Sequence, residues 1–474
     1  MSILIVLNGI FMTFCLPFSW YFGGQDFRAL LGSSLIAISS GAVMWLLTRK
    51  SINTELSKRE GYLVVTIGWV VMSLIGTLPY MLSGEILNFT DAFFETLSGF
   101  STTGATILED IESVDKGVLL WRSMSQWIGG MGIIVLTVAI LPILGIGGMQ
   151  LFVAEAPGIT PDKFQPRIKE TAKRLWIIYI GFTGLELIFL MMGGLTFFDA
   201  LNHSLTTMAT GGFSTKNTSI AHYDSPYVDF IIMIFMFLAG TNFTMLYFGL
   251  HGKLKKVFKN QEFRSYGISC LAISVFCALG IWLNGDENLT DSLRYGFFQV
   301  ISVITTTGFI TQDYTAWTPL LTMLFFFLMF VGASAGSTSG GIKIIRHLIL
   351  VKNSFLEFNR QIHPSAVLPL RLNGKGVNGE VTFQILAFVI LYLTIFALGS
   401  LAMALLGVDL VTAMGAAATC LGNVGPGIGS VGPIANFAYM PTIGKWILAL
   451  LMLLGRLELF TVLILFTPFF WRKT

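Results

Sequence analysis

Charged residues are scarce in this sequence. They make up 12% of the 474 residues, whereas a soluble domain has about 25%, so an ordinary soluble enzyme is excluded. The 29 basic and 26 acidic residues leave a formal charge of +3, and the basic residues stand in short clusters between long apolar runs. No basic face of the kind that binds nucleic acid is therefore expected.

Cysteine is also rare, and the cysteines lack the spacing of metal ligands. All four lie inside apolar segments: Cys15, Cys270, Cys277 and Cys420. We expect buried core thiols here. The five histidines show no recurrent spacing to one another or to cysteine, which argues against a metal site. Because no glycine pair follows a strand in a phosphate-loop pattern, no nucleotide site or cofactor is expected in this chain.

Apolar residues, by contrast, are abundant at 54% of the chain. A helix needs about 20 apolar residues to cross the hydrocarbon layer, and ten such stretches can be placed. The predicted spans are 2–22, 27–48, 61–83, 118–144, 173–198, 227–250, 265–284, 317–350, 381–407 and 440–470. The predicted fold is an all-α polytopic membrane protein with ten transmembrane helices.

The basic residues predict the orientation of these spans, because Lys and Arg collect in cytoplasmic loops. Of the 29 basic residues, 22 fall in segments on one side of the predicted membrane: 49–60, 163–174, 253–264, 343–375 and 472–473. Both termini are then expected in the cytoplasm.

Four apolar segments between alternate spans are too short to cross, and the topology places them all on the outer side. They are Asp91–Ser101, Asp199–Ala209, Asp291–Ile304 and Asp409–Leu421. Each begins with an aspartate that we expect to cap the helix N-terminus. Each runs into a turn that contains glycine: 102–105, 210–213, 306–309 and 423–426.

This arrangement is an internal repeat of span, re-entrant helix, glycine turn and span. It divides the chain into an N-terminal two-helix domain, 1–56, and four pseudo-symmetric units: 57–160, 161–260, 261–365 and 366–474. Irregular backbone at membrane depth survives where it is buried in protein or lines a wet cavity. Four turns around one axis could present rings of carbonyl oxygens, which replace the water shell of a monovalent cation. A cation filter is predicted; the alternative is that the turns merely pack helices together.

The stretch 317–350 is far longer than one span, and its middle, 332–341, is rich in Gly, Ser and Thr. An unwound, mobile loop beneath the filter is one interpretation. The other is close helix contact, because Gly332, Gly336 and Gly340 are spaced by four, the small-residue pattern of membrane helix pairs. The spacing alone favours neither interpretation, but the excess length of the stretch favours the unwound loop.

Arg456 lies deep within the last apolar span, where an ionisable side chain is costly and faces a cavity or a partner. It could obstruct an ion path, or it could form a structural ion pair with Glu458 or another acid. Glu95 and Glu186 are two further intramembrane carboxylates without an obvious partner.

Several long and unusual strings resemble the TrkH branch of the Trk/Ktr/HKT superfamily of K⁺ transporters, over nearly the whole chain. These strings are 93–106, 126–132, 305–309, 332–343, 423–426 and 455–458. The resemblance implies that Gly104, Gly212, Gly308 and Gly425 are filter glycines, a pattern associated with K⁺ preference. The second turn departs from the pattern, because Gly211 precedes Gly212.

The expected K⁺ filter residues are Thr102, Thr103, Gly104, Thr210, Gly211, Gly212, Thr306, Thr307, Gly308, Asn423, Val424 and Gly425. The resemblance also implies an intramembrane gating loop with Arg456 in the pore below it. The expected gating residues are Gly332, Gly336, Ser337, Thr338, Ser339, Gly340, Gly341, Lys343 and Arg456.

The function expected from these features is K⁺ uptake through a channel-like pore in a bacterial inner membrane. By resemblance, the partners are a second copy of the chain, giving a homodimer, and a cytoplasmic nucleotide-binding subunit of the TrkA type. Membrane lipid is a further expected partner, because the basic loops near 145–172 and 343–380 could contact anionic headgroups; the alternative is that these loops bind a partner protein. One alternative is a symporter that couples K⁺ to Na⁺ or H⁺ through Glu95, Glu186 or Glu458. A second is a membrane-embedded enzyme acting on lipid, for which no nucleophile–base motif is seen.

Overall fold

The protein is described by a computed structural model that covers residues 1–49, 58–140, 168–285, 287–366 and 368–472. It is mostly helical, as the sequence predicts. The first helices are α1 (Ser2–Thr13), α2 (Leu16–Tyr21), α3 (Phe27–Thr48), α4 (Lys58–Gly76), α5 (Leu78–Ser83), α6 (Phe89–Phe100), α7 (Lys116–Ile140), α8 (Ile168–Met192) and α9 (Phe197–Met208). The middle helices are α10 (Pro226–Ala239), α11 (Phe243–Leu250), α12 (Leu254–Lys259), α13 (Gln261–Asn284), α14 (Leu289–Ile304) and α15 (Pro319–Leu328).

The remaining helices are α16 (Ile344–Ile362), α17 (Gly379–Leu405), α18 (Leu410–Gly422), α19 (Thr442–Arg456), α20 (Phe460–Leu463) and α21 (Pro468–Trp471). The strands have two residues each. A parallel pair joins β1 (Val331–Gly332) to β2 (Ile342–Lys343), and an antiparallel pair joins β3 (Arg371–Leu372) to β4 (Lys375–Gly376).

Six helical segments among the described residues are long and apolar enough to cross a membrane. They are Ser2–Tyr21, Phe27–Thr48, Arg59–Ser83, Lys173–Met192, Gln261–Asn284 and Gly379–Leu405. Each lies at a predicted span. The predicted span 118–144 corresponds to α7 up to Ile140, and its last residues lie outside the described part of the chain.

Two predicted spans are wrong as continuous helices, whereas the interruption of a third, 317–350, agrees with its predicted non-helical middle. Span 227–250 is bent by 109° between α10 and α11, where the side chain of Asn242 caps the second helix. Span 440–470 is bent by 111° between α19 and α20, where Glu458 and Leu459 have positive φ. Span 317–350 ends as a helix at Leu328 and resumes at Ile344, because the glycine-rich stretch between them is not helical.

The four short helices α6, α9, α14 and α18 lie where the sequence predicts re-entrant helices. The predicted aspartate caps are wrong for the first three, whose N-caps are Asn88, Thr196 and Asn288. In these helices the aspartate is the third helical residue, where its carboxylate still faces free N–H groups. Asp409 does cap α18, accepting from the N–H of Thr412 at 3.1 Å.

Each short helix packs among the longer helices that flank it in the sequence. α6 contacts α4 and α7, α9 contacts α8 and α10, α14 contacts α13 and α15, and α18 contacts α17 and α19. Three of the short helices also contact a helix of the preceding repeat, where the last repeat is taken to precede the first. These contacts are α6 with α19, α9 with α7, and α14 with α10. These contacts link the first three short helices to helices of a neighbouring repeat.

Candidate functional site

The turns that follow the four short helices share one backbone conformation. The first residue of each turn has a positive φ: Thr102 at 53°, Thr210 at 54°, Thr306 at 56° and Asn423 at 53°. The third residue is a glycine with a positive φ: Gly104 at 82°, Gly212 at 75°, Gly308 at 79° and Gly425 at 102°. These glycine φ values lie beyond the left-handed helical region of about 50–70° that the threonines and Asn423 occupy, so the third position favours glycine.

The four turns lie against one another in a closed order. A Cβ atom placed on Gly104 would overlap the carbonyl oxygen of Gly211, and one on Gly212 would overlap that of Thr307. A Cβ on Gly308 would overlap the carbonyl oxygen of Val424. The series closes at Gly425, whose Cβ would lie 2.7 Å from the carbonyl oxygen of Thr103. Each key glycine thus abuts the residue before the key glycine of the next turn.

The two glycines of the second turn occupy different positions. Gly212 has the positive φ of the other key glycines, whereas Gly211 aligns with Thr103, Thr307 and Val424. Gln126 of α7 supports this turn from the side. Its Nε2 donates to the carbonyl oxygen of Gly211 at 2.6 Å, and its Oε1 accepts from the N–H of Phe213 at 3.0 Å. The absence of a side chain at Gly211 makes room for Gln126.

Two of the turns have a buried threonine hydroxyl that hydrogen bonds to the hydroxyl two residues before it. The hydroxyl of Thr103 is 2.7 Å from that of Ser101, and the hydroxyl of Thr307 is 2.8 Å from that of Thr305. These hydrogen bonds are internal to each turn. They hold the threonine hydroxyls in fixed positions.

The residues 332–341, which we call the inner loop, are held at both ends by the β1–β2 pair. The loop contacts the bases of the turns. Its Gly340 N–H donates to the hydroxyl of Thr306 at 2.6 Å, and Thr338 donates its hydroxyl to the carbonyl oxygen of Met208 at 3.1 Å. A Cβ on Gly340 would lie 2.8 Å from the Cβ of Asn423. The loop therefore lies against the ends of the second, third and fourth short helices.

Arg456 connects the inner loop to the first unit. Its Nη1 donates to the carbonyl oxygen of Thr338 at 2.8 Å, and its Nη2 donates to the carbonyl oxygens of Gly129 and, at 2.8 Å, Gly130. The buried Lys343 donates to the carbonyl oxygen of Ser339 and, at 3.2 Å, to its hydroxyl. Both cations thus contact the predicted gating segment.

The intramembrane carboxylates have separate surroundings. Glu458, which the sequence leaves open as an ion-pair partner of Arg456, pairs with Arg346 of α16. Glu95 is fully buried and pairs with Arg122 at 2.6 Å, while it accepts from the N–H of Ile107 at 2.9 Å. Glu186 is buried in α8 beside Thr207.

Arg122 and Gln126 were not assigned a role from the sequence, although both lie near the turns. Arg122 donates to the carbonyl oxygen of Ser214 at 2.9 Å, and its guanidinium carbon lies 3.5 Å from the ring centroid of Phe213. It therefore ties the first short helix to the segment after the second turn. The position of Arg122, an ionisable residue inside the predicted span 118–144, is the sequence feature that could have indicated a role for it.

The four cysteines are free and buried, as predicted. Among the described residues, no group of three or more His, Cys, Asp or Glu side chains could hold a metal ion.

Known proteins resemble this chain along almost its whole length. The Trk system potassium uptake protein TrkH of Salmonella typhimurium is 43% identical over 451 residues, covering 94% of this chain and 92% of that protein. The protein of the same description from Escherichia coli is 42% identical over 450 residues, with coverage of 94% and 92%. The crystal structure of the potassium transporter TrkH from Vibrio parahaemolyticus matches with a TM-score of 0.90 at 35% identity, covering 99% of this chain and 98% of that one.

The family profile gives the same result. The profile of TrkH, described as "Cation transport protein", matches residues 28–267 and 272–473. This family consists of transporters, not enzymes. Because the match spans far more than half of the chain, the protein belongs to the TrkH family of cation transport proteins.

Proposed function

We propose that this multi-pass membrane protein takes up K⁺ through a channel-like pore whose filter is the ring of four glycine turns. The observation that carries the proposal is the closed order in which Gly104, Gly212, Gly308 and Gly425 each abut the next turn. The names of the relatives, which are potassium uptake proteins, support K⁺ as the ion. K⁺ is the transported ion, held at the filter residues, and no cofactor is proposed.

The chemistry of such a ring follows from its backbone. Carbonyl oxygens that face a common axis can replace the hydration shell of a K⁺ ion as it enters. The short helices end at the ring, so that their partly negative C-terminal ends favour a cation there. The closeness of each glycine to a neighbouring carbonyl leaves no room for a side chain. Glycine at four positions then keeps the ring narrow and regular.

The inner loop and Arg456 are proposed as the gate beneath this filter. The loop contacts the ends of three short helices, and Arg456 joins it to Gly129 and Gly130 of the first unit. In this arrangement the loop lies across the inner end of the path, and we propose that it represents the closed state. Opening would break the hydrogen bonds of Thr338, Gly340 and Arg456. Lys343 would move with the loop because it binds Ser339.

The finer architecture is part of the same proposal. We propose ten spans in an N-terminal two-helix domain, 1–56, and four units, 57–160, 161–260, 261–365 and 366–474. The helix contacts and the repeated turn conformation support this division. The clusters of basic residues support a bacterial inner-membrane protein with both termini in the cytoplasm. A homodimer and a TrkA-type regulatory subunit remain proposals from the family resemblance, and the relatives' description as parts of a Trk system supports a regulatory partner.

A symporter that couples K⁺ to Na⁺ or H⁺ is the second candidate, because Glu186 is a buried carboxyl within a span. The other two candidate carboxylates favour a structural role. Glu95 pairs with Arg122 and Glu458 pairs with Arg346, so neither carboxylate is left to bind a coupling ion. This pairing favours uncoupled, channel-like flux.

The test is ion flux into proteoliposomes that contain the purified chain, with K⁺ and Na⁺ gradients compared. Gly308→Ser introduces a Cβ that overlaps the Val424 carbonyl at a φ of 79°. The matched control is Gly267→Ser, since a Cβ at this helical glycine meets nothing within 4 Å. We expect K⁺ flux that exceeds Na⁺ flux in the wild type and the control, and a loss of this preference in Gly308→Ser. Unchanged selectivity in a folded Gly308→Ser protein would refute the filter assignment.

A further inference from the structure

The segment after the bend between α10 and α11 carries an exposed surface that the ion path does not use. Leu250, Leu254 and Phe258 are 62%, 54% and 62% exposed. Four lysines of the same segment are also exposed: Lys253, Lys255, Lys256 and Lys259. No acidic residue occurs between 243 and 260. We call residues 250–259 the basic hairpin.

The composition of the basic hairpin fits a membrane surface. Leu254 and Phe258 are four residues apart on α12 and so lie on one face, while Val257 is buried against the protein. Exposed apolar side chains flanked by lysines are typical of elements that lie at the boundary of headgroups and acyl chains. Lysines at this level are attracted to anionic lipids.

Residues on both sides of the basic hairpin bind Ala335 of the inner loop. On the near side, Asn242 donates from Nδ2 to the carbonyl oxygen of Ala335 at 2.6 Å, and the N–H of Phe243 donates to the carbonyl oxygen of Gly336 at 3.0 Å. On the far side, Glu262 accepts from the N–H of Ala335 at 2.6 Å. Asn242, at the start of α11, and Glu262, three residues after the basic hairpin, therefore hold the Ala335 backbone from both directions.

We propose that the basic hairpin binds the headgroups of anionic phospholipids, and that this binding holds the inner loop in its closed position. The proposal rests on the gate described under the proposed function. Headgroups that fix α11 and α12 at the membrane surface also fix Asn242 and Glu262, which flank them. Opening of the loop requires Ala335 to leave both side chains, so anionic lipid opposes opening.

The first test is binding, and it does not depend on flux. The purified protein in detergent is titrated with phosphatidylglycerol and, separately, with phosphatidylcholine, and bound lipid is counted by native mass spectrometry. The wild type is expected to prefer phosphatidylglycerol. The triple variant Lys255→Gln, Lys256→Gln, Lys259→Gln should lose this preference by about fivefold per lysine, whereas the triple Lys→Arg variant should keep it. Equal preference in the Gln variant would overturn the lipid site.

The second test is coupling to the gate. Rb⁺ flux is measured in vesicles of phosphatidylcholine alone and in vesicles with roughly one-quarter phosphatidylglycerol. We expect the anionic vesicles to lower wild-type flux and to leave the triple Gln variant unaffected. Asn242→Ala should retain lipid binding but lose the flux response. A response that survives in Asn242→Ala, or wild-type flux equal in both vesicles, would overturn the coupling.

The two tests separate this proposal from the filter. If Gly308→Ser keeps its selectivity while the lipid preference depends on the lysines, the filter fails and the lipid site stands. If the wild type shows no lipid preference and these lysines bind a cytoplasmic protein instead, the lipid proposal fails and the filter is untouched.

Discussion

Asn423 donates a hydrogen bond from its side-chain nitrogen to the hydroxyl of Thr103 at 2.9 Å, although 320 residues separate them. The same nitrogen donates to the carbonyl oxygen of Met452, also at 2.9 Å. The contact joins the last of the four turns to the first. At this point the backbone of Gly425 also lies against the carbonyl oxygen of Thr103. The last and first turns are therefore in contact through both side chains and backbone.

Removal of this side chain should weaken the ring. Asn423→Gly suits the φ of 53° at this position, so it isolates the loss of the side chain from backbone strain. We expect a loss of about 1–3 kcal/mol in stability, because buried partners lose their hydrogen bonds, together with reduced K⁺ over Na⁺ selectivity. Thermal unfolding in detergent and flux assays measure both effects. Asn359→Ala, on an exposed helical position, is the control; a midpoint equal to that control would contradict the prediction.

The second turn allows its two glycines to be distinguished. At Gly211 a Cβ would meet the side chain of Gln126, which can move, whereas at Gly212 it would meet the carbonyl oxygen of Thr307 at a φ of 75°. We expect Gly211→Ala to lower K⁺ flux and the added change Gln126→Ala to restore part of it. Gly212→Ala should not be rescued by Gln126→Ala. Flux and selectivity of the two double variants measure the difference, and equal rescue would show that the turn is aligned wrongly.

The sequence was sufficient to locate the four short helices and the glycine turns, because each unit repeats a polar residue, a short apolar segment and a turn glycine in the same order. In the first, second and fourth units the N-cap residue precedes the key glycine by 16 residues. In the third unit it precedes the key glycine by 20 residues. The aspartates are less regular, since a cap is chosen by whichever side chain reaches the free N–H groups. Composition does not show that Asn88, and not Asp91, is the residue that caps α6.

The sequence could not predict the order of the turns around the ring or the breaks in long apolar helices. Contacts such as Asn423 with Thr103 depend on the whole fold, and the bend at Asn242 depends on its hydrogen bond to the distant Ala335. Apolar composition signals that a segment is buried or faces lipid, but not that it is straight.

Glu95 should be required for stability and not for ion coupling. Its carboxylate and the Arg122 guanidinium are 0% and 2% exposed, and loss of one partner from a buried pair costs about 3–5 kcal/mol. We expect Glu95→Gln to lower the unfolding midpoint strongly, while the flux of the folded fraction keeps its voltage dependence. The control Glu357→Gln affects an exposed pair with Arg360, where about 0–1 kcal/mol is expected. A changed voltage dependence in Glu95→Gln would favour the symport alternative.

In the proposed gate, Arg456 can act in two ways that its substitutions separate. A positive charge below the filter repels cations, and a guanidinium that binds Thr338, Gly129 and Gly130 holds the inner loop in place. Lysine keeps the charge but is a compact donor on a flexible stem, without the planar fork that reaches several carbonyls. If the hydrogen bonds hold the gate, Arg456→Lys should raise basal Rb⁺ flux nearly as far as Arg456→Gln does. If the flux of Arg456→Lys is as low as the flux of the wild type, charge alone blocks the path. The control for either outcome is Arg28→Gln, which changes an exposed arginine.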